Sequence, residues 1–347
     1  MSGPAATPAA GGTAQAGPGG GSGEGGAGAA SAFVFPGMGP SRFEDVGRFM
    51  VINPFARRLV AAADARLGYS LVDRFRETEG DYSVYAQVAF LVNCVALAQW
   101  AEHTLGVRPQ LCTGASFGEK SAIAYTGALP FDDAVWMTAE LARCLEEYFA
   151  VEHTDVVTHS FVRAPAGELA EILADLEERG EWHDISCYVD DDFFMVSLRE
   201  RNLEWLERRL RGIGAMSLYT MRPPMHSAAF GALRRKAEDE VVGRLEFADP
   251  AVPVVADQDG SLVTTAEGMR TMLLEGFVRP LRWPDVVGSL KARGVGTVYV
   301  AGPDSLFGRV GCTRRNFEVV PVNPRTALRP RPRPRPRAGA GAGTGAA

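Results

Sequence analysis

Hydrophobic and polar positions alternate along the chain in a way that predicts an α/β protein. Residues 32–35 form a short apolar run that stops at Pro-Gly-Met-Gly, which is typical of a strand entering a tight loop. Helical periodicity and a second buried strand follow, with helices at 43–49, 53–67, 84–105, 120–126 and 131–149 and the strand at 110–113. Strands that alternate with helices predict a parallel sheet.

The order of predicted strands and helices changes between residues 153 and 221. There the pattern gives strands near 158–163, 185–189, 193–198 and 216–221, with helices near 166–179 and 201–213. This βαββαβ order predicts a small ferredoxin-like subdomain inserted into the larger one. The α/β pattern then resumes, with helices at 228–245, 268–276 and 284–293 and strands at 252–255 and 297–300.

Composition separates two tails from the folded body. The 39 glycines and 22 prolines cluster at the ends: residues 1–31 are almost entirely small, and 325–347 are an Arg-Pro alternation followed by Gly-Ala. Such segments cannot bury enough apolar surface to fold, so we expect both to be disordered. The large subdomain is then assigned to 32–152 and 222–324, and the small one to 153–221.

Charge and cysteine usage exclude several classes of protein. A net charge of −6, with several arginines confined to the tail, disfavours a nucleic-acid binder, although the tail could still touch RNA or an acidic partner. The five cysteines are odd in number and contain no Cys-x-x-Cys pair, which argues against a disulfide framework and a metal site and favours the cytoplasm. We find no apolar run of about 18 to 20 residues and no signal peptide, so we expect no membrane association.

The strongest chemical signal is Gly114-x-Ser116-x-Gly118 between a predicted strand and a predicted helix. Small residues on both sides of a serine allow a sharp turn that exposes its hydroxyl and directs the N–H of Phe117 at a developing oxyanion. An ordinary glycine-rich turn would give the same pattern. A nucleophilic serine therefore needs a base elsewhere in the chain.

Five histidines could supply that base. His226 is the best candidate because it lies between a predicted strand and a predicted helix, where side chains face the ligand crevice of α/β proteins. His103 and His183 fall in exposed positions, and a catalytic role for His153 or His159 at the subdomain junction stays open. Residues 190–192 are three consecutive aspartates, which we interpret as a solvated hairpin rather than a metal site.

Seven motifs together carry a family resemblance. They lie at 35–39, Gln87, 114–119, 225–227, 252–255, 280–283 and 302–303. In order and spacing the chain resembles the malonyl-CoA:acyl-carrier-protein transacylases and polyketide-synthase acyltransferases over residues 32–324. The resemblance implies an α/β-hydrolase-like large subdomain and a ping-pong acyl transfer between thiols of phosphopantetheine arms.

The same resemblance implies roles for individual residues. Ser116 would attack the thioester, His226 would act as general base and then general acid, and the backbone amides of Met38 and Phe117 would form the oxyanion hole. No metal and no bound cofactor would be needed. Gly276 replaces a residue that often lies near the histidine in the family, so what orients His226 stays open.

Departures from the family pattern point to the acyl group. Twenty-five residues after the serine, where the family places a carboxylate-binding arginine, this chain has Leu141. Arg143 could replace it only in a shifted register. Ala115 stands where the family has histidine, and the residues before His226, including Pro224 and Met225, match no known specificity pattern. We expect Ala115, Leu141, Pro224 and Met225 to shape a pocket for a non-carboxylated acyl group.

A free-standing acyltransferase without that arginine resembles the discrete dipeptidyl acyltransferases of macrolactam biosynthesis, such as that of the vicenistatin pathway. The resemblance implies transfer of an aminoacyl or dipeptidyl starter from an acyl carrier protein to the carrier domain of a polyketide-synthase loading module. Arg163, Met216 and Arg309 are candidate carrier-binding residues, because carrier proteins are acidic. A malonyl-type CoA:ACP transacylase, a thioester hydrolase and a non-catalytic docking module are the alternatives.

Overall fold

The computed structural model describes residues 30–304 and 306–329. The strands are β1 (Ala30–Phe35), β2 (Leu111–Gly114), β3 (Val156–Val162), β4 (His183–Asp190), β5 (Phe193–Arg199), β6 (Met216–Met221), β7 (Val254–Val255), β8 (Leu262–Val263), β9 (Leu281–Arg282), β10 (Val295–Ala301) and β11 (Glu318–Val322). The helices are α1 (Phe43–Ile52), α2 (Pro54–Leu67), α3 (Leu71–Glu77), α4 (Val84–Leu105), α5 (Gly118–Tyr125), α6 (Phe131–Phe149), α7 (Ala166–Glu178), α8 (Leu203–Gly212), α9 (Gly231–Glu240), α10 (Ala266–Glu275), α11 (Trp283–Ala292), α12 (Gly311–Asn316) and α13 (Pro324–Ala327).

A six-stranded sheet forms the large subdomain, in the order β11-β10-β1-β2-β7-β8. Its first five strands are parallel, and β8 is antiparallel to β7. Residues 32–35 of the central strand β1 are all apolar and buried, as expected for a parallel strand that is covered on both faces. The carboxyl ends of β1, β2 and β7 therefore meet at one edge, where ligands bind in such sheets.

Helix α4 lies at the centre of the large subdomain. Fifteen of its 22 residues are buried, which explains why its sequence shows no polar face. Its length and hydropathy would also suit a membrane span, and 83% of its most apolar window is buried inside the fold. The expectation that no apolar run approaches that length was wrong, since a core helix meets the same criterion.

The small subdomain confirms the predicted ferredoxin-like unit. Its strands β6, β3, β5 and β4 lie in that order and pair antiparallel, and helices α7 and α8 pack on one face. The large subdomain adds β9 to this sheet, parallel to β4 through the pair Cys187 and Leu281. The other face of the small sheet points toward the edge where β1, β2 and β7 end, since its side chains pack with theirs.

The aspartate run at 190–192 forms the predicted hairpin turn with Asp191 and Asp192 exposed, but Asp190 is buried, contrary to the prediction. Asp190 is only 7% exposed, and its carboxylate accepts hydrogen bonds from the backbone N–H of Cys312 at 2.8 Å and from Arg315 at 3.1 Å. Consecutive strand residues point in opposite directions, and Asp190, the last residue of β4, faces the neighbouring α12. Asp190 thus connects the two subdomains.

Other differences concern short elements and boundaries. Helix α3 and strand β11 were not predicted, and the helix expected at 228–245 is regular only over Gly231–Glu240. Strand β1 begins at Ala30 and α13 runs to Ala327, so the folded body extends slightly beyond 32–324. The rest of the two predicted tails lies outside the described residues.

Candidate active site

Ser116 lies at a sharp turn between β2 and α5. Its φ of 52° is in the left-handed region, which non-glycine residues rarely adopt. The flanking glycines make this turn possible: a Cβ on Gly114 would lie 2.1 Å from the backbone of Gly118, and a Cβ on Gly118 would lie 2.1 Å from the carbonyl of Phe35. The glycine-x-serine-x-glycine sequence therefore folds as a strained strand-to-helix turn that exposes the serine hydroxyl.

His226 lies beside this serine. Its Nε2 is 2.8 Å from Ser116 Oγ, within reach for proton transfer. The histidine also has a left-handed backbone, with φ of 64°, and follows β6 of the small subdomain. The structure thus brings together the two residues that the sequence proposed as nucleophile and base.

Burial controls the protonation of His226. The side chain is only 6% exposed, and loss of hydration lowers its pKa from 6.5 to about 4. The backbone carbonyls of Gly276 and Arg279 act in the opposite direction, although Nδ1 makes no hydrogen bond of regular geometry with any described residue. These two carbonyls are therefore the groups that can orient the ring, and the imidazole is neutral at pH 7.

The predicted oxyanion hole has two backbone amides available. Met38 and Phe117 both line the cavity that contains Ser116 and His226. Within residues 30–304 and 306–329, neither backbone N–H donates a hydrogen bond. Free N–H groups at this position are what an oxyanion requires, since they need no rearrangement when the charge develops.

Two buried acids behind the nucleophile were missed by sequence reasoning. Asp257, at the end of β7, accepts a hydrogen bond from the backbone N–H of Ser116 at 2.5 Å. Glu119 lies next to it and accepts from the side chain of Gln258 at 2.8 Å. Burial raises the pKa of both carboxyls, and the charge of Asp257 raises that of Glu119 further, so the pair holds a proton near neutrality. The sequence contained a signal for both acids, because Glu119 belongs to the serine motif and Asp257 follows a strand that ends at the same sheet edge.

Two cavities meet at the serine and histidine. One is a narrow space of about 100 Å³ beneath them. The other, of about 440 Å³, lies between the 37–40 loop and the small sheet. A third, outer cavity of about 980 Å³ is lined by residues of the 78–87 segment and α6. The site therefore opens toward both subdomains.

The predicted acyl-pocket residues divide into two groups. Met225 lines both inner cavities, and Pro224 lines the outer one. Ala115 and Leu141 are fully buried in the core and line none of the three cavities. The sequence could not separate a core position from a pocket position on α6, and the structure places Leu145, one turn further along, on the wall of the narrow cavity.

Arg143 and the remaining histidines lie away from the serine. Arg143 pairs with Glu140 and reaches only the outer cavity. His159 is held between Ser217 and Thr220, with both distances 2.9 Å. The described residues contain no cluster of three or more potential metal ligands.

The predicted carrier-binding residues lie on the surface. Arg163 directly follows Val162, which pairs with Met216 on the edge strand β6. Met216 is 46% exposed, and Leu218 and Tyr219 on the same strand are 43% and 38% exposed. Arg309 is exposed in the segment between β10 and α12. Two of the three predicted residues are therefore neighbours on an exposed apolar edge.

The chain is similar to known acyltransferases in sequence. Residues 160–221 match the family described as the VinK acyltransferase small domain. The malonyl CoA-acyl carrier protein transacylase of Bacillus subtilis strain 168 is 25% identical over 299 residues, covering 84% of this chain and 93% of that protein. The corresponding Escherichia coli K12 protein is also 25% identical, over 82% of this chain and 92% of its own length.

Solved structures show the same fold. A malonyl-transacylase in complex with a type II polyketide-synthase acyl-carrier protein superposes with a TM-score of 0.76 at 22% identity, covering 86% of this chain and 99% of that one. The transacylase of Coxiella burnetii gives a TM-score of 0.74 at 22% identity, over 86% and 96% of the two chains. By sequence and by fold the chain is thus similar to the malonyl CoA-acyl carrier protein transacylases, and residues 160–221 match an acyltransferase small-domain family.

Proposed function

We propose that the chain transfers acyl groups to an acyl carrier protein through a covalent ester on Ser116. The observation that carries this proposal is the 2.8 Å contact between Ser116 Oγ and His226 Nε2, next to two backbone amides without partners. Such an arrangement serves acyl transfer from a thioester, because the hydroxyl needs a base and the tetrahedral intermediate needs donors.

In the first half-reaction, Ser116 Oγ attacks the thioester carbon while its proton passes to His226 Nε2. The oxyanion binds the amides of Met38 and Phe117. When the carbon–sulfur bond breaks, the imidazolium returns the proton to the leaving sulfur, and the acyl group remains on the serine as an ester.

In the second half-reaction, the thiol of a phosphopantetheine arm gives its proton to His226 and attacks the ester carbon. The carbon–oxygen bond breaks, and the proton returns to Ser116 Oγ. A base with a pKa of about 4 is fully neutral at pH 7, so His226 is ready to accept a proton in both halves. Water in place of the thiol would make the chain a hydrolase.

The finer proposal concerns the acyl group and the partners. We infer transfer of a non-carboxylated aminoacyl or dipeptidyl starter between a donor carrier protein and a polyketide-synthase loading module in the cytoplasm, as part of macrolactam assembly. The match of 160–221 to the VinK acyltransferase small domain supports it, and so does the apolar residue at position 141. No arginine lines the narrow cavity in the described part of the chain.

A malonyl-type CoA:ACP transacylase is the second candidate, because the relatives in Bacillus subtilis and Escherichia coli carry that name. The two candidates differ in their donor. Malonyl-CoA is a carboxylated thioester of a small molecule, whereas the starter is delivered by a carrier protein.

Intact-protein mass spectrometry separates the candidates. The full chain is mixed with an aminoacyl- or dipeptidyl-loaded carrier and an unloaded second carrier, and in parallel with malonyl-CoA and the unloaded carrier. We expect the aminoacyl mass on Ser116 and then on the second carrier. Loading by malonyl-CoA alone would establish the second candidate.

Two variants test the mechanism in the same assay. Ser116→Ala should abolish the acyl-enzyme, and His226→Ala should slow its formation. Ser121→Ala, a buried serine on the same helix α5, is the matched control and should behave as wild type. Transfer that persists in Ser116→Ala would refute the covalent route, and release of free acid without carrier loading would identify a hydrolase.

A further inference from the structure

One ammonium group lies buried beside the nucleophile, and the proposed mechanism does not use it. Lys120 lies in the first turn of α5, four residues after Ser116 in the chain. Only 8% of the lysine is exposed, and it lines the narrow cavity together with Ser116 and His226. Most of the remaining wall is apolar, formed by Met38, Phe117, Leu145, Met221, Met225, Leu273 and Phe277.

The charge of the neighbouring Glu119 acts on this lysine, but the two side chains form no ion pair. Across the described residues its Nζ forms neither an ion pair nor a hydrogen bond, and it lies over the ring of Phe117, 4.6 Å from the centroid. The neighbouring Glu119 is occupied by Gln258 and the acid pair with Asp257. A lysine has three N–H donors, so all three are available to a molecule in the cavity.

An unpaired buried cation is costly, and proteins seldom retain one without use. Burial lowers the pKa of Lys120 from 10.5 to about 8, so the group still carries its charge at pH 7. The same cavity would reject an aliphatic chain that left the ammonium unsatisfied, because neither water nor protein could replace the missing acceptor. A ligand oxygen satisfies it.

We propose that Lys120 is a specificity-determining residue that donates a hydrogen bond to an oxygen of the acyl chain beyond the reacting carbonyl. That oxygen is an amide carbonyl in an aminoacyl or dipeptidyl chain, and a carboxylate in a malonyl chain. The inference rests on the proposed function in one respect, namely that the acyl chain on Ser116 occupies the narrow cavity. Lys120 then favours oxygen-bearing acyl groups over plain alkyl groups of the same length.

The test measures binding without turnover. Full-length Ser116→Ala protein is titrated by calorimetry with three pantetheine analogues in which an amide replaces the thioester: N-acetyl-β-alanyl, malonyl and hexanoyl. The titrations are repeated with Lys120→Met, which keeps the side-chain length, and Lys120→Gln, which keeps a donor. Lys291→Met, an exposed lysine on α11, is the matched control.

We expect Lys120→Met to weaken at least one oxygen-bearing analogue by roughly tenfold or more, the usual effect of losing a hydrogen bond to a charged group. Hexanoyl binding should stay the same or improve, Lys120→Gln should be intermediate, and Lys291→Met should have no effect. The analogue with the larger loss identifies the source of the oxygen. Equal changes for all three analogues, no change for any, or no binding of any analogue would overturn the proposal.

Failure of the proposed function gives a different result. If the calorimetry shows discrimination that depends on Lys120 but wild-type protein moves no acyl mass onto a carrier, the transfer proposal fails and the lysine assignment stands. If acyl groups reach the carrier but Lys120→Met transfers N-acetyl-β-alanyl, malonyl and hexanoyl groups in wild-type proportions, the lysine assignment fails alone.

Discussion

Gly118→Ala is the sharpest test of the strained turn that carries the nucleophile. The added methyl would lie 2.1 Å from the carbonyl oxygen of Phe35 and 3.0 Å from that of Pro36. Carbon and oxygen atoms in contact need about 3.5 Å, so the Phe35 carbonyl must retreat by more than an ångström. That carbonyl accepts the backbone hydrogen bond of Ala115 at 3.0 Å, so the bond between β1 and the turn must break or stretch.

The magnitude follows from what the methyl meets. Overpacking typically costs about 1 to 3 kcal/mol, and a backbone atom cannot rotate away as a side chain can, so we expect about 3 kcal/mol. The effect on rate should be larger than this loss of stability suggests. The segment that moves leads to Met38, whose amide is one of the two free donors, and a lost oxyanion donor lowers kcat by about 10² to 10³.

The assay pairs urea denaturation with the rate of acyl transfer to a carrier protein. Gly288→Ala is the matched control, because Gly288 is exposed within α11 and no atom lies within 4 Å of the added Cβ. Alanine is about 1 kcal/mol better than glycine in a helix, so the control should be slightly more stable and equally active. Gly118→Ala protein with wild-type stability and wild-type kcat would refute the argument that this contact holds the turn.

Three further predictions concern protonation and docking. Burial lowers the pKa of His226 from 6.5 to about 4, so kcat/KM should stay level down to about pH 5 and fall only below that pH. A half-maximal kcat/KM near pH 6.5 would contradict this protonation state of His226. Burial raises the pKa of Asp257 from 3.8 to about 7, so the folded protein holds a proton that the unfolded chain releases and stability falls as pH rises between these values. Asp257→Asn should reduce this slope, with the remainder due to Glu119, and raise Tm at pH 8; an unchanged slope would place the effect elsewhere. Arg163→Glu and Met216→Ala should raise KM for the carrier protein several-fold without changing acylation by a small thioester. Arg208→Glu on α8 is the control and should change neither quantity. Equal effects of all three substitutions would rule out a specific docking edge.

Features that depend on neighbouring residues could be predicted from the sequence. The sharp turn at Ser116 depends on two glycines four positions apart, and the ferredoxin-like order depends on the succession of short periodic segments. His226 could be found because a strand-to-helix switch places a side chain at the crevice of an α/β sheet. These inferences need only short-range sequence and one topological rule.

Features that depend on contacts between residues far apart in the chain could not be predicted from the sequence. Asp257 lies 141 residues from Ser116, whose backbone N–H it hydrogen-bonds. The strand before Asp257 indicates that it lies at the sheet edge, but the sequence does not show which group its carboxylate contacts. Leu141 and Leu145 are one helical turn apart with the same chemistry, and only the packing of α6 decides which of them faces the cavity. Lys120 was overlooked because lysine is rarely buried, and its burial is visible only once the strand and helix around it are in place.

The proposed nucleophile and base lie on opposite sides of the boundary between the two subdomains. Ser116 is fixed by β2 and by the carboxylate at the end of β7, both in the large sheet, whereas His226 follows β6 of the small one. A 2.8 Å contact between Ser116 and His226 requires the two sheets to keep a fixed position relative to each other. Strand β9 and the Asp190 carboxylate supply it, since each connects the small sheet to the large subdomain at a different point. The exposed edge that includes Met216 belongs to the same strand that leads to His226, so a carrier protein docked on β6, as we propose, would deliver its arm beside the proposed base.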